Sequence, residues 1–172
     1  IVNKLLIDAS GNIVAGGNFT TYQGATHKRI CRLTPAGSID NSFVAGDGFN
    51  FSVLDMQMDA NGNIICSGQF SLYNTQPVGK LCRINTDGSL DLTFYTSPES
   101  AYSYSSGDIM TLAVQSNGSI IFGGGFTEYN NNLRNRIARV QQDGWLDNSF
   151  CVIWGVSRNP YYYDVAVRDI EI

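Results

Sequence analysis

Hydrophobic and polar residues alternate along this chain in a pattern that occurs three times. Each unit opens with a short apolar-rich stretch, followed by a tight turn of sequence S-G-N, N-G-N or N-G-S. A second apolar stretch then ends in glycine. Turns of this composition favour the positive φ values of two-residue β-hairpins. No stretch keeps a 3.6-residue period, so the pattern predicts an all-β protein.

The spacing within the unit is constant, which defines the register of the repeat. Gly62 follows Gly11 by 51 residues, and Gly118 follows Gly62 by 56. From each of these glycines, a phenylalanine, an arginine and an aspartate recur 8, 21 and 29 residues later. These framework residues are Gly11, Gly62 and Gly118; Phe19, Phe70 and Phe126; Arg32, Arg83 and Arg139; and Asp40, Asp91 and Asp147.

Each unit is predicted to contain at least three strands. The expected first strands are Lys4–Asp8, Asp55–Asp59 and Thr111–Gln115. The expected second strands are Ile13–Gly17, Ile64–Gly68 and Ile120–Gly124. The expected third strands are Ile30–Leu33, Leu81–Ile84 and Ile137–Val140. A short L/I-D-x-x-F segment closes the unit.

The chain is interpreted as one repeat domain. The repeats span residues 2–52, 53–108 and 109–166, and a partial fourth repeat spans 167–172. The partial repeat, Val167–Ile172, matches the first strand of the second repeat. Because one such unit cannot bury its apolar face alone, we expect the units to stack on their neighbours.

The motifs (D/N)-G-(N/S)-I-(I/V), G-x-F-(T/S)-x-Y and D-G-S-(L/I)-D-x-(S/T)-F resemble the delta-60 repeat, a Kelch-like β-propeller repeat of bacterial and phage proteins. Departures are Ala36, Ser67 and Trp145. The resemblance implies a β-propeller of three blade units plus the first strand of a fourth. Propellers have about four to eight blades, so we expect a larger ring. The chain starts with Ile1, which suggests a removed leader or a piece of a longer protein.

Composition and charge narrow the possible partners. Only 15% of the residues are charged, the net charge is −4, and the 11 lysines and arginines are spread along the chain. A nucleic-acid partner needs clustered basic residues, so none is expected. No apolar run approaches the length of a membrane helix, so we expect no membrane insertion. The partners expected instead are other protein chains or further blades of the same polypeptide.

The cysteines give no sign of a metal site. None of Cys31, Cys66, Cys82 and Cys151 forms a C-x-x-C pair. Cys31 and Cys82 occupy the position that holds Ala138 in the third repeat, which is typical of a small buried site. We therefore expect free core thiols, in preference to disulfides, and assembly in a reducing cytosol.

Three features suggest chemistry and also have simpler structural interpretations. The aligned arginines and aspartates could line a channel, but a feature present in every repeat favours a structural ion pair. The D-x-N-G sequence of Asp59–Gly62 lacks the further acidic ligands of a calcium loop, which favours a turn. His27 has no catalytic partner signature and is interpreted as a solvated loop residue. We therefore expect no catalytic residue, metal or cofactor.

The residues that interrupt the repeat are the candidate binding surface. They lie after the closing phenylalanine of the second and third repeats, in loops 95–107 and 151–164. Aromatic and arginine side chains are enriched at interfaces. The alternative is that these aromatics pack against neighbouring blades. The candidates are Tyr102, Tyr104, Trp154, Arg158, Tyr161, Tyr162 and Tyr163.

Three functions remain open. The preferred one is a non-enzymatic module of a phage virion, in a tail or surface protein that serves assembly or host attachment. In this case the protein is located in the virion, assembled in the host cytoplasm. The alternative is a bacterial secreted or cell-surface module that binds carbohydrate or serves in adhesion. A host-surface glycan or receptor is a further candidate partner. A propeller-fold hydrolase is third, because no acid pair or His-centred cluster interrupts the repeat.

Overall fold

The computed structural model describes residues 1–95, 107–150 and 166–172, and every regular element in these residues is a β-strand. Each repeat forms one antiparallel sheet of three strands. The first sheet contains β1 (Val2–Ile7), β2 (Ile13–Gly17) and β5 (Ile30–Leu33). The second contains β6 (Val53–Met58), β7 (Ile64–Gly68) and β10 (Leu81–Ile84). The third contains β11 (Ile109–Val114), β12 (Ile120–Gly124) and β15 (Ile137–Val140).

The all-β prediction is confirmed, and the second and third strands have the predicted bounds. The first strands begin two residues earlier and end one residue earlier than predicted. The reason is a break in the ladder: Val2 pairs with Gly17 but Lys4 pairs with Gly16, and the same shift occurs in β6 and β11. A β-bulge of this kind interrupts the two-residue period from which strands are predicted.

Glycine ends the central strand of each sheet because the first strand passes close to it. A Cβ on Gly17 would overlap the carbonyl oxygen of Ile1, and one on Gly124 would overlap that of Asp108. Only glycine leaves room for this approach.

Three small hairpins follow the central strands, outside the three strands predicted for each unit. Each has two residues per strand: β3 (Thr21–Tyr22) with β4 (Ala25–Thr26), β8 (Leu72–Tyr73) with β9 (Gln76–Pro77), and β13 (Glu128–Tyr129) with β14 (Asn132–Leu133). Their turns have positive φ at both central residues, such as Asn130 and Asn131. Positive φ at both positions is the geometry of a type I′ turn.

The closing segment of each repeat adds one further pair to its sheet. Single antiparallel bridges join Leu33 to Ile39, Ile84 to Leu90 and Val140 to Leu146. Each sheet therefore has three strands and the start of a fourth, as expected for a propeller blade. We refer to the three sheets with their closing segments as blades 1, 2 and 3.

The core lies between successive blades, and the strands β1, β6 and β11 run side by side. Between blades 1 and 2, Val14, Ile30 and Phe43 of blade 1 pack against apolar residues of blade 2. Those residues are Val53, Met56, Ile64, Cys66, Phe70, Tyr73, Cys82 and Ile84. The equivalent cluster joins blades 2 and 3. The units therefore stack on their neighbours, as expected.

Residues 166–172 occupy the place of a fourth first strand without forming strand structure. Val167 donates a backbone hydrogen bond to Gly124 at 3.3 Å, and the side chains of Val167 and Ile170 lie over Gly123. Val53 and Met56 lie over Gly16 in the same way. The partial fourth repeat over 167–172 stays a prediction. Strand structure needs a hydrogen-bonded ladder to a neighbouring strand, and the described residues include none for this segment.

Candidate interaction surface

Each aligned arginine binds the aligned aspartate of its own blade. The hydrogen bond joins Nε of the arginine to Oδ2 of the aspartate, so the two charged groups meet in the same geometry each time. The distances are 2.7 Å for Arg32–Asp40, 2.6 Å for Arg83–Asp91 and 2.8 Å for Arg139–Asp147. The guanidinium also lies about 5 Å above the ring of the closing phenylalanine, which is Phe43, Phe94 or Phe150.

The hydrogen bonds around these aspartates keep them ionised. A bond from the Ser149 hydroxyl, with a further one from Arg139, lowers the pKa of Asp147 to about 2. The Ser42 hydroxyl lowers the pKa of Asp40 in the same way. Hydrogen bonds to a carboxylate stabilise its charged form. A carboxylate held in this state cannot supply a proton near neutral pH, which favours a structural role over acid catalysis.

The same arginines connect one blade to the next. Nη1 of Arg32 donates to the carbonyl of Thr86 at 2.6 Å, and Nη1 of Arg83 donates to the carbonyl of Gln142 at 2.8 Å. These two carbonyls belong to the same turn of successive blades. Within the described residues, Arg139 has no such bond. The arginine is therefore both an ion-pair partner within its blade and a link to the following blade.

Blade 1 exposes an apolar face that blades 2 and 3 bury. Val2 is 52% exposed and Leu5 is 58% exposed, whereas the equivalent residues are at most 2% exposed. These equivalents are Val53, Met56, Ile109 and Leu112. The buried cluster of Ala15, Cys31 and Leu33, with half-buried Phe19 and Tyr22, continues the same face. It is one half of an inter-blade core.

Two aromatic residues that interrupt the repeat meet between blades 2 and 3. The rings of Tyr95 and Trp145 are stacked, with centroids 4.0 Å apart and an interplanar angle of 5°. Sequence reasoning marked Trp145 only as a departure from the repeat. The signal that could have found the pair is that both residues replace small or aliphatic residues of the preceding blades, Ser89 and Val44.

The structure shows the surroundings of Asp59, of three cysteines and of His27. Oδ1 of Asp59 accepts bonds from the backbone of Asn61 and Asn63, both at 2.9 Å, so this carboxylate forms a turn. The cysteines described, Cys31, Cys66 and Cys82, are buried and free, and burial raises the pKa of Cys31 to about 11. His27 is half-buried beside Lys28 at the end of a hairpin.

The candidate binding residues Tyr102, Tyr104, Trp154, Arg158, Tyr161, Tyr162 and Tyr163 lie outside the described residues, as does Cys151. Among residues 1–95, 107–150 and 166–172, no group of three or more His, Cys, Asp or Glu side chains could hold a metal ion. The same residues contain no helix long and apolar enough to cross a membrane.

The repeats match a known family of β-propeller repeats. A family model described as "Domain of unknown function (DUF5122) beta-propeller" matches residues 9–43, 60–94 and 115–150, which together exceed half of the chain. Each matched segment falls within one predicted repeat. The match supports a β-propeller repeat and carries a different family name from the delta-60 repeat that the motifs resemble. No curated protein matches the chain.

Proposed function

Since this chain belongs to the DUF5122 β-propeller family, we propose that it is a structural and binding module of a larger assembly and not an enzyme. The observation that carries the proposal is the open face of blade 1. There, Val2 and Leu5 are more than half exposed at positions that are buried in both other blades. A contiguous exposed apolar face favours a protein partner.

The partner that fits this face is another blade of the same kind. In both internal interfaces the opposite half of the core includes two aliphatic residues and the closing phenylalanine, such as Val14, Ile30 and Phe43. A further blade, from the same polypeptide or from another chain of the assembly, supplies that half. The ring is then extended beyond the three blades seen here.

We place this assembly in a phage virion, as part of a tail or surface protein that serves assembly or host attachment. Low charge, free buried cysteines and the resemblance of the motifs to a repeat of phage proteins support this role. The second candidate is a bacterial secreted or cell-surface module that binds carbohydrate. The exposed Trp145 ring, stacked on Tyr95, is the observation that favours it.

The association is tested by light scattering during size-exclusion chromatography. We expect the wild-type chain to form larger species as its concentration rises, because blade 1 is covered by a blade of a second copy. Leu5→Asp places a charge in the open face and should leave the chain monomeric. Leu92→Asp is the matched control, since Leu92 is 78% exposed and lies outside that face. A wild-type chain that stays monomeric at every concentration would contradict the proposed use of this face.

The location is tested with antibodies raised against this chain. Immunogold labelling of particles released by lysis is expected if the chain belongs to a virion. Labelling of intact bacterial cells, with unlabelled particles, would support the second candidate instead.

A further inference from the structure

The stack of Tyr95 and Trp145 presents a flat aromatic surface to solvent. Tyr95 covers one face of the indole at a centroid distance of 4.0 Å, yet Trp145 remains 54% exposed. A parallel stack of two rings leaves the opposite ring face open. We call this pair the aromatic platform.

Two hydrogen bonds hold Tyr95 in the platform, one from its backbone and one from its side-chain hydroxyl. The backbone of Tyr95 donates to the carbonyl of Asp143 at 2.8 Å, and its hydroxyl donates to Oδ1 of Asn130 at 3.1 Å. Gly144 has a φ of 88°, and a Cβ at this position would overlap the backbone of Tyr95. Because these contacts fix the rings before any ligand arrives, binding loses little side-chain entropy.

The junction of blades 1 and 2 shows that the scaffold does not need these aromatics. The same backbone bond joins Val44 to Asp87 at 2.7 Å, and the equivalents of the aromatic pair are Val44 and Ser89. Both residues line an open groove of about 620 Å³ there. The aromatic platform is therefore an addition to the repeat, confined to one junction.

The surroundings of the platform are polar. Gln141, Gln142 and Asp143 of the same turn are exposed. The backbone N–H of Trp145 donates to Oδ1 of Asp143 at 3.1 Å, so this carboxylate lies beside the platform. A protein partner would favour a continuous apolar area at the centre of its contact. A single flat ring bordered by amide and carboxylate groups suits a smaller, amphipathic ligand.

We propose that the aromatic platform binds a sugar ring of a glycan. A pyranose has one face of C–H groups and a rim of hydroxyls, which match the open face of the indole and the polar groups of the turn. Aromatic rings with nearby polar groups combine apolar contact with oriented hydrogen bonds. The inference rests on the proposed role as a binding module and specifies its ligand class.

The test uses the wild-type chain and three variants on a printed array of oligosaccharides of glucose, galactose, N-acetylglucosamine and rhamnose. An oligosaccharide retained by the wild type is then titrated, with tryptophan fluorescence and calorimetry as readouts. Trp145→Ser and Tyr95→Val introduce the residues of the other junction, so both variants should fold. Phe51→Ser is the control, because Phe51 is 58% exposed outside the platform.

We expect Trp145→Ser to weaken binding by roughly 30-fold, the typical effect of truncating a tryptophan hot spot. Tyr95→Val should weaken binding less, because the indole remains but loses its support. Phe51→Ser should bind like the wild type. The fluorescence change on titration should disappear only in Trp145→Ser.

Two results would overturn the proposal and leave the assembly role intact. One is a wild-type chain that retains no oligosaccharide of the array. The other is a Trp145→Ser variant that binds the retained oligosaccharide as the wild type does. If Trp145→Ser instead abolishes self-association in light scattering, the platform contacts protein and the sugar assignment is wrong. Conversely, a chain that binds sugar but stays monomeric would support the sugar site and contradict the proposed assembly.

Discussion

Replacing Arg83 by alanine tests whether the repeated arginines join the blades as well as stabilise each one. Arg83 pairs with Asp91 at 2.6 Å, donates to the carbonyl of Gln142 in blade 3 and lies over the ring of Phe94. Arg139 is the matched control. It makes the same ion pair and ring contact, but within the described residues it has no bond to a following blade. It also lacks the 3.9 Å contact that Arg83 makes with Oδ2 of Asp59.

The expected loss in the free energy of unfolding follows from how deeply each ion pair is buried. Removing one partner of a fully buried pair costs about 3–5 kcal/mol, whereas an exposed pair contributes about 0–1 kcal/mol. The side chains of Arg83 and Asp91 are only 12% and 11% exposed, so their pair lies near the lower end of the buried range, about 3 kcal/mol. The bond to Gln142 has a charged donor and is exposed, so it adds about 1.5 kcal/mol, the lower end of the range for such bonds. Because the Arg139 side chain is 24% exposed, Arg139→Ala should cost about 2 kcal/mol.

The assay is equilibrium unfolding in urea, followed by aromatic fluorescence. With a slope of about 2 kcal/mol per molar, Arg83→Ala should lower the midpoint by about 2 M and Arg139→Ala by about 1 M. Arg83→Lys should recover little of the lost stability, because lysine has no planar group that can donate to both Asp91 and Gln142. Equal midpoints for the two alanine variants would refute the link between blades.

Two further results are expected from hydrogen bonds in single blades. Tyr73→Phe should destabilise the chain by about 1 kcal/mol, because the Tyr73 hydroxyl donates to the carbonyl of Gly88 at 2.5 Å. Tyr129→Phe should leave the free energy of unfolding in urea unchanged, since the Tyr129 hydroxyl has no hydrogen-bond partner among the described residues. A similar loss of stability in Tyr73→Phe and Tyr129→Phe would contradict this expectation. The pKa of Asp147 is lowered from 3.8 to about 2, so the folded state binds its proton less readily than the unfolded state does. The stability that ionised Asp147 contributes is therefore complete above about pH 4 and is lost as the pH falls through about 2. In Asp147→Asn, the free energy of unfolding should depend less on pH in this range. An unchanged pH dependence would contradict the lowered pKa of Asp147.

Much of the blade could be predicted because its signals are local. Gly11 marks a hairpin turn, and the glycine that ends each second strand marks a close approach of backbone, so spacing alone located β2 and β5. The pairing of Arg32 with Asp40 followed from a constant separation of eight residues. The two-residue hairpins were missed because two residues are too few to show a period.

The specific contacts between blades could not be predicted from the sequence. The bond from Arg32 to the carbonyl of Thr86 leaves no trace in residue type, because every residue has a carbonyl. Residue type marks Tyr95 and Trp145 as departures from the repeat, but they are 50 positions apart and nothing in the spacing indicates that their rings stack. Such contacts depend on the angle between blades, which side-chain patterns do not encode.

The arginine link between blades also bears on how this architecture can change its size. The donor always lies in the third strand of one blade, and the acceptor is always a main-chain carbonyl in the turn of the following blade. A main-chain acceptor is kept whatever side chain the turn carries, as the change from Thr86 to Gln142 shows. Duplication or deletion of one whole unit therefore creates a new junction in which donor and acceptor are already in place. The couplings between units are of the nearest-neighbour type. Rings or arrays with different numbers of units can thus arise without a compensating mutation at any junction.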